Sequence, residues 1–439
     1  MTERTLQAFI DGQQIGTLHE NNDLWAFEYA QSWLENPARF ALSPHLPLDG
    51  GMLRDGATAR PAQWYFDNLL PEDTVRTLLA KDAGLPDVRD AFALLAYYGR
   101  ESAGSITLRA PGDAREENDD LTALDDAALN QRILDLPRVP LTHDAPKKMS
   151  LAGAQHKLPV VLRDGQLFEP GGKALSTHIL KPDHHNTQDY PHSVVNEWFT
   201  MQLAGRVGLE VPNVQRRYVP SPVYLITRFD REIKDGTVSR RHAIDGCQLL
   251  NLAATMKYPA WSLESLFDLA AKCRAPAPAR LRIFRWLVFC IAVGNGDSHL
   301  KNLSFLVDQH GIALAPHYDL LCEAVYETRG FSDKQRWPDL SEFTSPVCGV
   351  KRYALFNRNV LNEAGDALGL ARATIARQID DLLRRIPQQA EALFNEVEQE
   401  NAAIIAARPA LTATLGGELR LLRSINGIVI KEMVARLRP

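Results

Sequence analysis

An unbroken apolar run, Trp286-Leu287-Val288-Phe289-Cys290-Ile291-Ala292-Val293, empties into Gly294-Asn295-Gly296-Asp297-Ser298-His299-Leu300-Lys301-Asn302. No other stretch restricts the possible folds as much. The run is too short to span a bilayer, for which about 20 residues are needed. It reads as a buried helix delivering a polar loop to a fixed place. Asn302 lies five positions beyond Asp297, and the Asp319 of His317-Tyr318-Asp319 follows seventeen later. Phosphoryl transfer needs one carboxylate to take the proton of an acceptor hydroxyl. It also needs an amide oxygen and a second carboxylate to hold Mg²⁺ against a triphosphate. A D-x4-N pair alone arises by chance in many chains. The strand-like Gly311-Ile312-Ala313-Leu314-Ala315 just before Asp319 makes the pattern more specific.

The chain has 439 residues, enough for two or three cores. A net charge of −5 argues against bulk electrostatic coating of nucleic acid, although a local basic face is compatible with it. Cys247, Cys273, Cys290, Cys322 and Cys348 are scattered without a C-x-x-C pair, which fits small core residues in a reducing, cytoplasmic setting. The N-terminus leads into polar alternation rather than a signal-peptide core, and no membrane span is expected.

Residues 6–10 and 13–18 flank Asp11-Gly12 and read as a β-hairpin. Helices are expected near 66–79 and 88–97, after which the segment 99–108 turns into a strand. The polar, acidic stretch 111–148 reads as a connector containing one short helix, 123–136. From 149 short strands return (158–162, 167–168, 177–181, 223–229) around one helix, 193–207. Beyond 245 apolar residues at three-to-four spacing predict helices at 263–272, 279–293, 372–384, 388–401 and 417–436. The expected divisions are an N-terminal α/β domain (1–110), the connector (111–148), a small lobe with a phosphate loop (149–245) and a helical lobe (246–439).

Three further parts of a phosphoryl-transfer site occur in order upstream. Ser150-Leu151-Ala152-Gly153-Ala154-Gln155-His156-Lys157 is a small-residue loop whose backbone N–H groups can approach phosphate oxygens. Lys181, on the strand-like Thr177-His178-Ile179-Leu180-Lys181, offers an ammonium to the phosphates. Glu197, in Asn196-Glu197-Trp198-Phe199, is a helical acid placed to orient such a lysine. Singly each is a weak signal, since a turn and two surface charges explain them equally well. Five parts in sequence are much harder to obtain by accident.

With these parts the chain resembles the HipA family of bacterial toxin kinases from HipA–HipB toxin–antitoxin modules. The matching pieces also include Trp64-Tyr65-Phe66-Asp67-Asn68-Leu69-Leu70-Pro71, Gly99-Arg100-Glu101-Ser102-Ala103-Gly104 and Arg228-Phe229-Asp230-Arg231. Together they span residues 64–319. The resemblance implies an α+β, two-lobed, protein-kinase-like (PI3/4-kinase-like) fold with an extra N-terminal α/β domain. It implies ATP-dependent serine/threonine phosphorylation by the toxin of a type II module, inhibiting translation and causing growth arrest or persistence. Asp297 would be the catalytic base, with Asn302 and Asp319 as Mg²⁺ ligands. Ala152, Gly153, Ala154, Gln155, His156, Lys157, Lys181, Thr227, Arg228, Phe229, His299, Leu300, Lys301, Asn302, Tyr318 and Asp319 would line the ATP. Ser150 would be the site of inactivating self-phosphorylation. The implied partners are a small helix-turn-helix antitoxin like HipB, operator DNA reached mainly through it, and a substrate such as an aminoacyl-tRNA synthetase. Two departures stand out: Ser298 where some members carry Gly, and Thr227 where some carry an acid.

Other readings compete. A small-molecule kinase of the aminoglycoside or choline type shares the G-D-x4-N loop, while a non-catalytic corepressor scaffold would not need Asp297, Asn302, Asp319 and Lys181 intact. Asp183-His184-His185 with Asp189 and His192 reads as an exposed polar loop rather than a metal cluster. Arg274, Arg280, Arg282 and Arg285, with further arginines at 372–385, read as solvated helix faces or as a docking surface beside DNA.

Overall fold

A computed structural model describes residues 3–49, 51–113, 118–149, 151–234, 236–333 and 336–438. Ser150 lies outside the described residues. The chain divides into two compact units, one of Met1–Pro182, Leu225–Lys257 and Leu303–Ala315, the other of Asp183–Tyr224, Tyr258–Asn302 and Pro316–Pro439.

The first unit begins with a five-stranded antiparallel sheet. Its order is Leu53–Arg54, Leu24–Tyr29, Gln13–Asn21, Arg4–Ile10, Ile106–Arg109. The expected hairpin is present, with Ile10 opposite Gln13. Asp11 and Gly12 both take positive φ, +46° and +81°, as a two-residue turn matching strand twist requires. Helices Pro61–Asp67 and Ala91–Tyr98 cover this sheet, with Phe66 5.4 Å from Phe27 and Phe92 edge-on to Trp25 at 5.3 Å. The second of these starts later than the apolar pattern suggests. The Asp90 side chain accepts from the Ala93 N–H and caps the helix there.

A second sheet contains His178–Pro182, Leu158–Arg163, Gln166–Pro170 and Leu121–Ala123 as successive neighbours. Its last member was not expected. The acidic stretch read only as a connector with a helix, yet Leu121 pairs with Pro170 and Ala123 with Phe168. Three residues at a sheet edge, two of them exposed, leave almost no period-two signal. The connector helix is shorter than expected, Asp126–Leu134, and Arg132 fastens it through two bonds to Glu169, at 2.6 and 2.9 Å. A third sheet joins His242–Asp245, Ser304–Asp308 and Gly311–Leu314, all antiparallel.

The second unit is mainly helical, built from Ser193–Arg206, Leu263–Ala271, Pro276–Val293, Arg358–Ala367, Arg372–Ala407, Thr412–Ser424 and Lys431–Leu437. Sequence periodicity predicts two helices over 372–401, but one 36-residue helix runs through Pro387. An interior proline removes a hydrogen bond and costs about 3 kcal/mol. Ile375, Ile379, Leu382 and Ile386 before it continue into Ala390, Leu393 and Val397 after it as one buried stripe, and that burial outweighs the proline. The helix expected over 417–436 is interrupted by a π-helical turn, Ile425–Ile430. A hairpin, Glu342–Val347 with Val350–Arg352, turns on Cys348 and Gly349, both at positive φ. Among the described residues, no helix is long and apolar enough to cross a membrane. All five thiols are free, four of them buried.

Candidate active site

Every residue of 286–293 is fully buried, so the end of helix Pro276–Val293 is wrapped in protein on all sides. It stops at Gly294, whose φ of +71° suits glycine. A Cβ there would stand 2.7 Å from Ala324 Cβ and 2.8 Å from Val429 Cγ1, so no larger residue fits. The polar loop therefore leaves the core at a fixed point and in a fixed direction.

That loop closes on itself. The Asn302 side-chain amide donates to the Asp297 backbone carbonyl at 2.7 Å, and the Asp297 N–H donates to Asn295 Oδ1 at 3.2 Å. Thr344 receives the Ser298 N–H at 2.8 Å and donates its own hydroxyl to the Gly296 carbonyl at 2.8 Å. The Ser298 hydroxyl lies 2.9 Å from Thr344 Oγ1 and is fully buried. Serine here braces the loop and leaves the neighbouring carboxylate alone. His299, Leu300, Lys301 and Asn302 are buried, while Asp297 is half-exposed.

Residue order alone did not point to Tyr258. Its hydroxyl donates to Asp297 Oδ1, and its ring meets His299 edge-on at 5.0 Å. Glu323 was missed as well. A Cβ on Gly296 would come within 2.7 Å of its Oε2. Burial, then the charges of Asp297 and Glu327, raise the Glu323 carboxyl to about 7. Only the position of each in the fold, remote in sequence from the D-x4-N loop, brings it there.

Asp319 takes φ +57°, a left-handed conformation that aspartate tolerates better than most residues. The Tyr318 hydroxyl donates to the Lys301 carbonyl at 2.6 Å, joining this segment to the loop. Asn196 makes a reciprocal pair with Cys322, its Nδ2 to the Cys322 carbonyl at 2.9 Å and its Oδ1 from the Cys322 N–H at 2.8 Å. Glu197 follows on the same helix. Burial pushes the Tyr224 hydroxyl well above its usual range, and the nearby charges of Glu197 and Asp319 add to the shift. The two acids thus lie around one buried tyrosine.

In the first unit, Lys181 is buried on His178–Pro182, with its neighbour Leu180 paired to Leu158. The loop of Ala152, Gly153, Ala154, Gln155, His156 and Lys157 precedes the next strand. Gly153 has φ +113°, and the Lys157 ammonium donates to the Ala152 carbonyl at 2.6 Å. The Thr227 hydroxyl lies 3.2 Å from His178 Nε2, and the Arg228 N–H donates to the Thr177 carbonyl at 2.9 Å. Phe229 is half-buried. The Arg228 guanidinium has a different occupation, a buried network with Glu101, Asp230 and Ser176, with bonds of 2.7 to 3.2 Å. Arg231 and Lys147 join it at 2.9 and 3.3 Å from Glu101. Burial raises the Glu101 carboxyl, but Arg231, Lys147 and Arg228 overcome this and hold it far below the usual carboxylate range. The same balance holds Asp230 at about 2.

Several groups prominent in the sequence are occupied elsewhere. Asp183 accepts from the Val194 N–H at 2.8 Å at the start of a helix, and burial raises it to about 6. Among the described residues, no group of three or more His, Cys, Asp or Glu could hold a metal ion. Arg280 lies over Phe267, Arg282 pairs with Glu210 at 3.0 Å, and Arg285 donates to the Val207 carbonyl at 2.9 Å. Hard oxygen donors at Asn302 and Asp319 suit Mg²⁺, which completes its shell with phosphate oxygens and water rather than an all-protein cage.

Residues 149–390 match the HipA-like C-terminal domain, and residues 6–109 match the HipA N-terminal domain. The chain belongs to the HipA family. It is 30% identical over 428 residues to the serine/threonine-protein kinase toxin HipA of Shewanella oneidensis, covering 92% of this chain and 93% of that one. Y4mE of Sinorhizobium fredii is 34% identical over 412 residues, covering 89% and 93%. HipA in the S. oneidensis complex of HipA, HipB and operator DNA matches with a TM-score of 0.75 at 27% identity, covering 98% of this chain and 99% of that one. As a HipA-family member the chain is a serine/threonine protein kinase.

Proposed function

We propose that this HipA-family kinase transfers the γ-phosphoryl group of ATP to a serine or threonine hydroxyl, with Asp297 as the base. The observation that carries this is the loop closed by Asn302 on Asp297, with a tyrosine hydroxyl already donating to the Asp297 carboxylate. An acceptor hydroxyl would present a like donor to the same carboxylate. Its proton passes to Asp297 as its oxygen bonds to the γ-phosphorus, and the bond to ADP breaks. Asn302 and Asp319 would hold Mg²⁺, which neutralises phosphate charge when bound. Lys181 and the loop of 152–157 bind and orient the phosphates, and 227–229 serve the adenine edge. The finer assignment is a two-lobed PI3/4-kinase-like fold, with an N-terminal domain to 110, a connector to 148, a small lobe to 245 and a helical lobe beyond. Labelled phosphate transferred from ATP to protein, and absent with Asp297→Asn, supports the reading. Transfer only to small alcohols overturns it.

The S. oneidensis relative was solved with HipB and operator DNA. We place this chain likewise as the toxin of a type II module, binding a helix-turn-helix antitoxin in the cytoplasm and reaching DNA mainly through it. A net charge of −5 makes independent DNA binding weak. Nanomolar operator binding by the chain alone at physiological salt would contradict this. The acceptor lies in the translation machinery, an aminoacyl-tRNA synthetase by family resemblance. Phosphoproteomics comparing wild type with Asp297→Asn identifies it. Phosphorylation of Ser150 adds about −1.5 to −2 charge at the head of the phosphate loop, repels ATP and switches the kinase off. Equal ATP affinity of the phosphorylated and unmodified protein would overturn this.

A further inference from the structure

Within the first unit, the phosphate loop is held from the N-terminal domain at two points. Met149 pairs across backbone bridges with both Gly99 and Glu101. Four residues further on, Gly153 pairs with Pro71. The bridge is parallel, so its hydrogen bond comes from the residue after the proline, and the Glu72 N–H donates to the Gly153 carbonyl at 3.2 Å.

The turn making the second contact is strained and externally fixed. Asp73, just after Glu72, has φ +49°, a conformation that costs any residue with a side chain. Such a turn persists only where its surroundings dictate it. The Glu72 carboxylate meets the Lys257 ammonium at 2.6 Å, with both side chains only 12 to 13% exposed. Asn68, one turn earlier, donates from Nδ2 to the Leu252 carbonyl at 3.0 Å. The end of helix Pro61–Asp67 and the segment after it are therefore tied to 252–257. The first contact has the same character, since Glu101 is locked by Arg228, Arg231 and Lys147.

We infer that the N-terminal domain is a working part of the nucleotide site, clamping the phosphate loop at Met149 and Gly153, with Glu72 as a positioning residue pinned by Lys257. The inference rests on reading 152–157 as the phosphate loop. A small-residue loop has many conformations, and few of them aim its N–H groups at a phosphate. Fixing its backbone from outside raises the fraction of molecules ready for ATP, and apparent affinity rises by that fraction. A loosened clamp therefore weakens ATP binding while sparing the chemical step once ATP is bound.

ATP affinity of the full chain is measured by calorimetry for wild type, Glu72→Ala, Lys257→Met, the double variant and Lys257→Arg. Each single removal weakens ATP binding about tenfold, as expected if unclamping leaves about one molecule in ten competent. The double variant falls short of the product of the two single effects, because both break one pair. Lys257→Arg, which keeps the charge, binds ATP as wild type does. In steady state the change appears in KM for ATP rather than in kcat. Unchanged ATP affinity in the single variants overturns the inference, with or without a fall in Tm. If Glu72→Ala does not fold, Lys257→Met decides the matter alone. A wild-type chain that binds no ATP overturns the phosphate-loop reading itself, a result distinct from equal binding by wild type and variants.

Discussion

The Tyr258 hydroxyl donates a hydrogen bond to Oδ1 of Asp297, so the carboxylate assigned to take the acceptor proton is already oriented by another side chain. The same ring is braced edge-on against His299. Tyr258→Phe removes the donor and keeps the ring. A hydrogen bond to a charged group contributes about 1.5–3 kcal/mol, so protein phosphorylation should slow by about tenfold or more. ATP affinity should not change. Faster turnover in this variant would show that the tyrosine blocks the acceptor instead.

Asp297→Asn and Asp319→Asn should each lower phosphoryl transfer by about 10² or more. The second is a clean test, because asparagine accepts the left-handed backbone at position 319 as readily as aspartate does. Circular dichroism should match wild type. EDTA should abolish activity and Mg²⁺ or Mn²⁺ restore it. Stimulation by zinc alone would speak against oxygen ligation at Asn302 and Asp319.

Glu101→Gln takes one carboxylate partner from three buried cations, Arg228, Arg231 and Lys147. Removing one member of a buried ionic cluster typically costs about 3–5 kcal/mol, measurable as a shift in the denaturation midpoint. The sign with pH is fixed by the depressed carboxyl. Its contribution is complete above the ordinary glutamate range and is lost as pH falls toward the folded-state value. The gap between variant and wild type should therefore narrow in strong acid. A constant gap would mean that the charge is not what matters.

Glu418 behaves oppositely. Burial raises its carboxyl to about 7, although Tyr218 donates to it at 2.7 Å and Arg216 approaches to 3.5 Å. Between the ordinary glutamate range and pH 7 the folded protein holds a proton that the unfolded chain has released. Stability conferred by this group is complete in acid and lost as pH rises through about 7. Glu418→Gln, which cannot ionise, should flatten that decline in a urea series across the range.

The buried helix and its D-x4-N loop were legible because both rest on local residue order, a fully apolar run and a glycine stop. Residue order points to Lys181 and Glu197 only as members of an ordered set, and of that reading the strand under one and the helix under the other are present. Tyr258 and Glu323 could not be found at all, since their proximity to Asp297 depends on how segments nearly 40 and 26 positions away fold back. Pro387 misled for a related reason. Local propensity ends a helix there, and the buried stripe on both sides, a tertiary effect, carries it through. Arg228 shows the limit of motif reading, because the motif located the residue while its guanidinium turned toward Glu101.

The interleaving of the two units has a consequence for synthesis. The chain passes from one to the other five times before it ends. His242–Asp245 must wait for Ser304–Asp308 to pair with it, and the whole Asp297 loop is translated in between. At about 5–20 residues per second, the ribosome has made the whole of the second unit's buried helix, Pro276–Val293, before the first unit can close its last sheet. A ribosome stalled before Ser304 therefore releases neither unit whole, although 258–302 of the second unit have already been made.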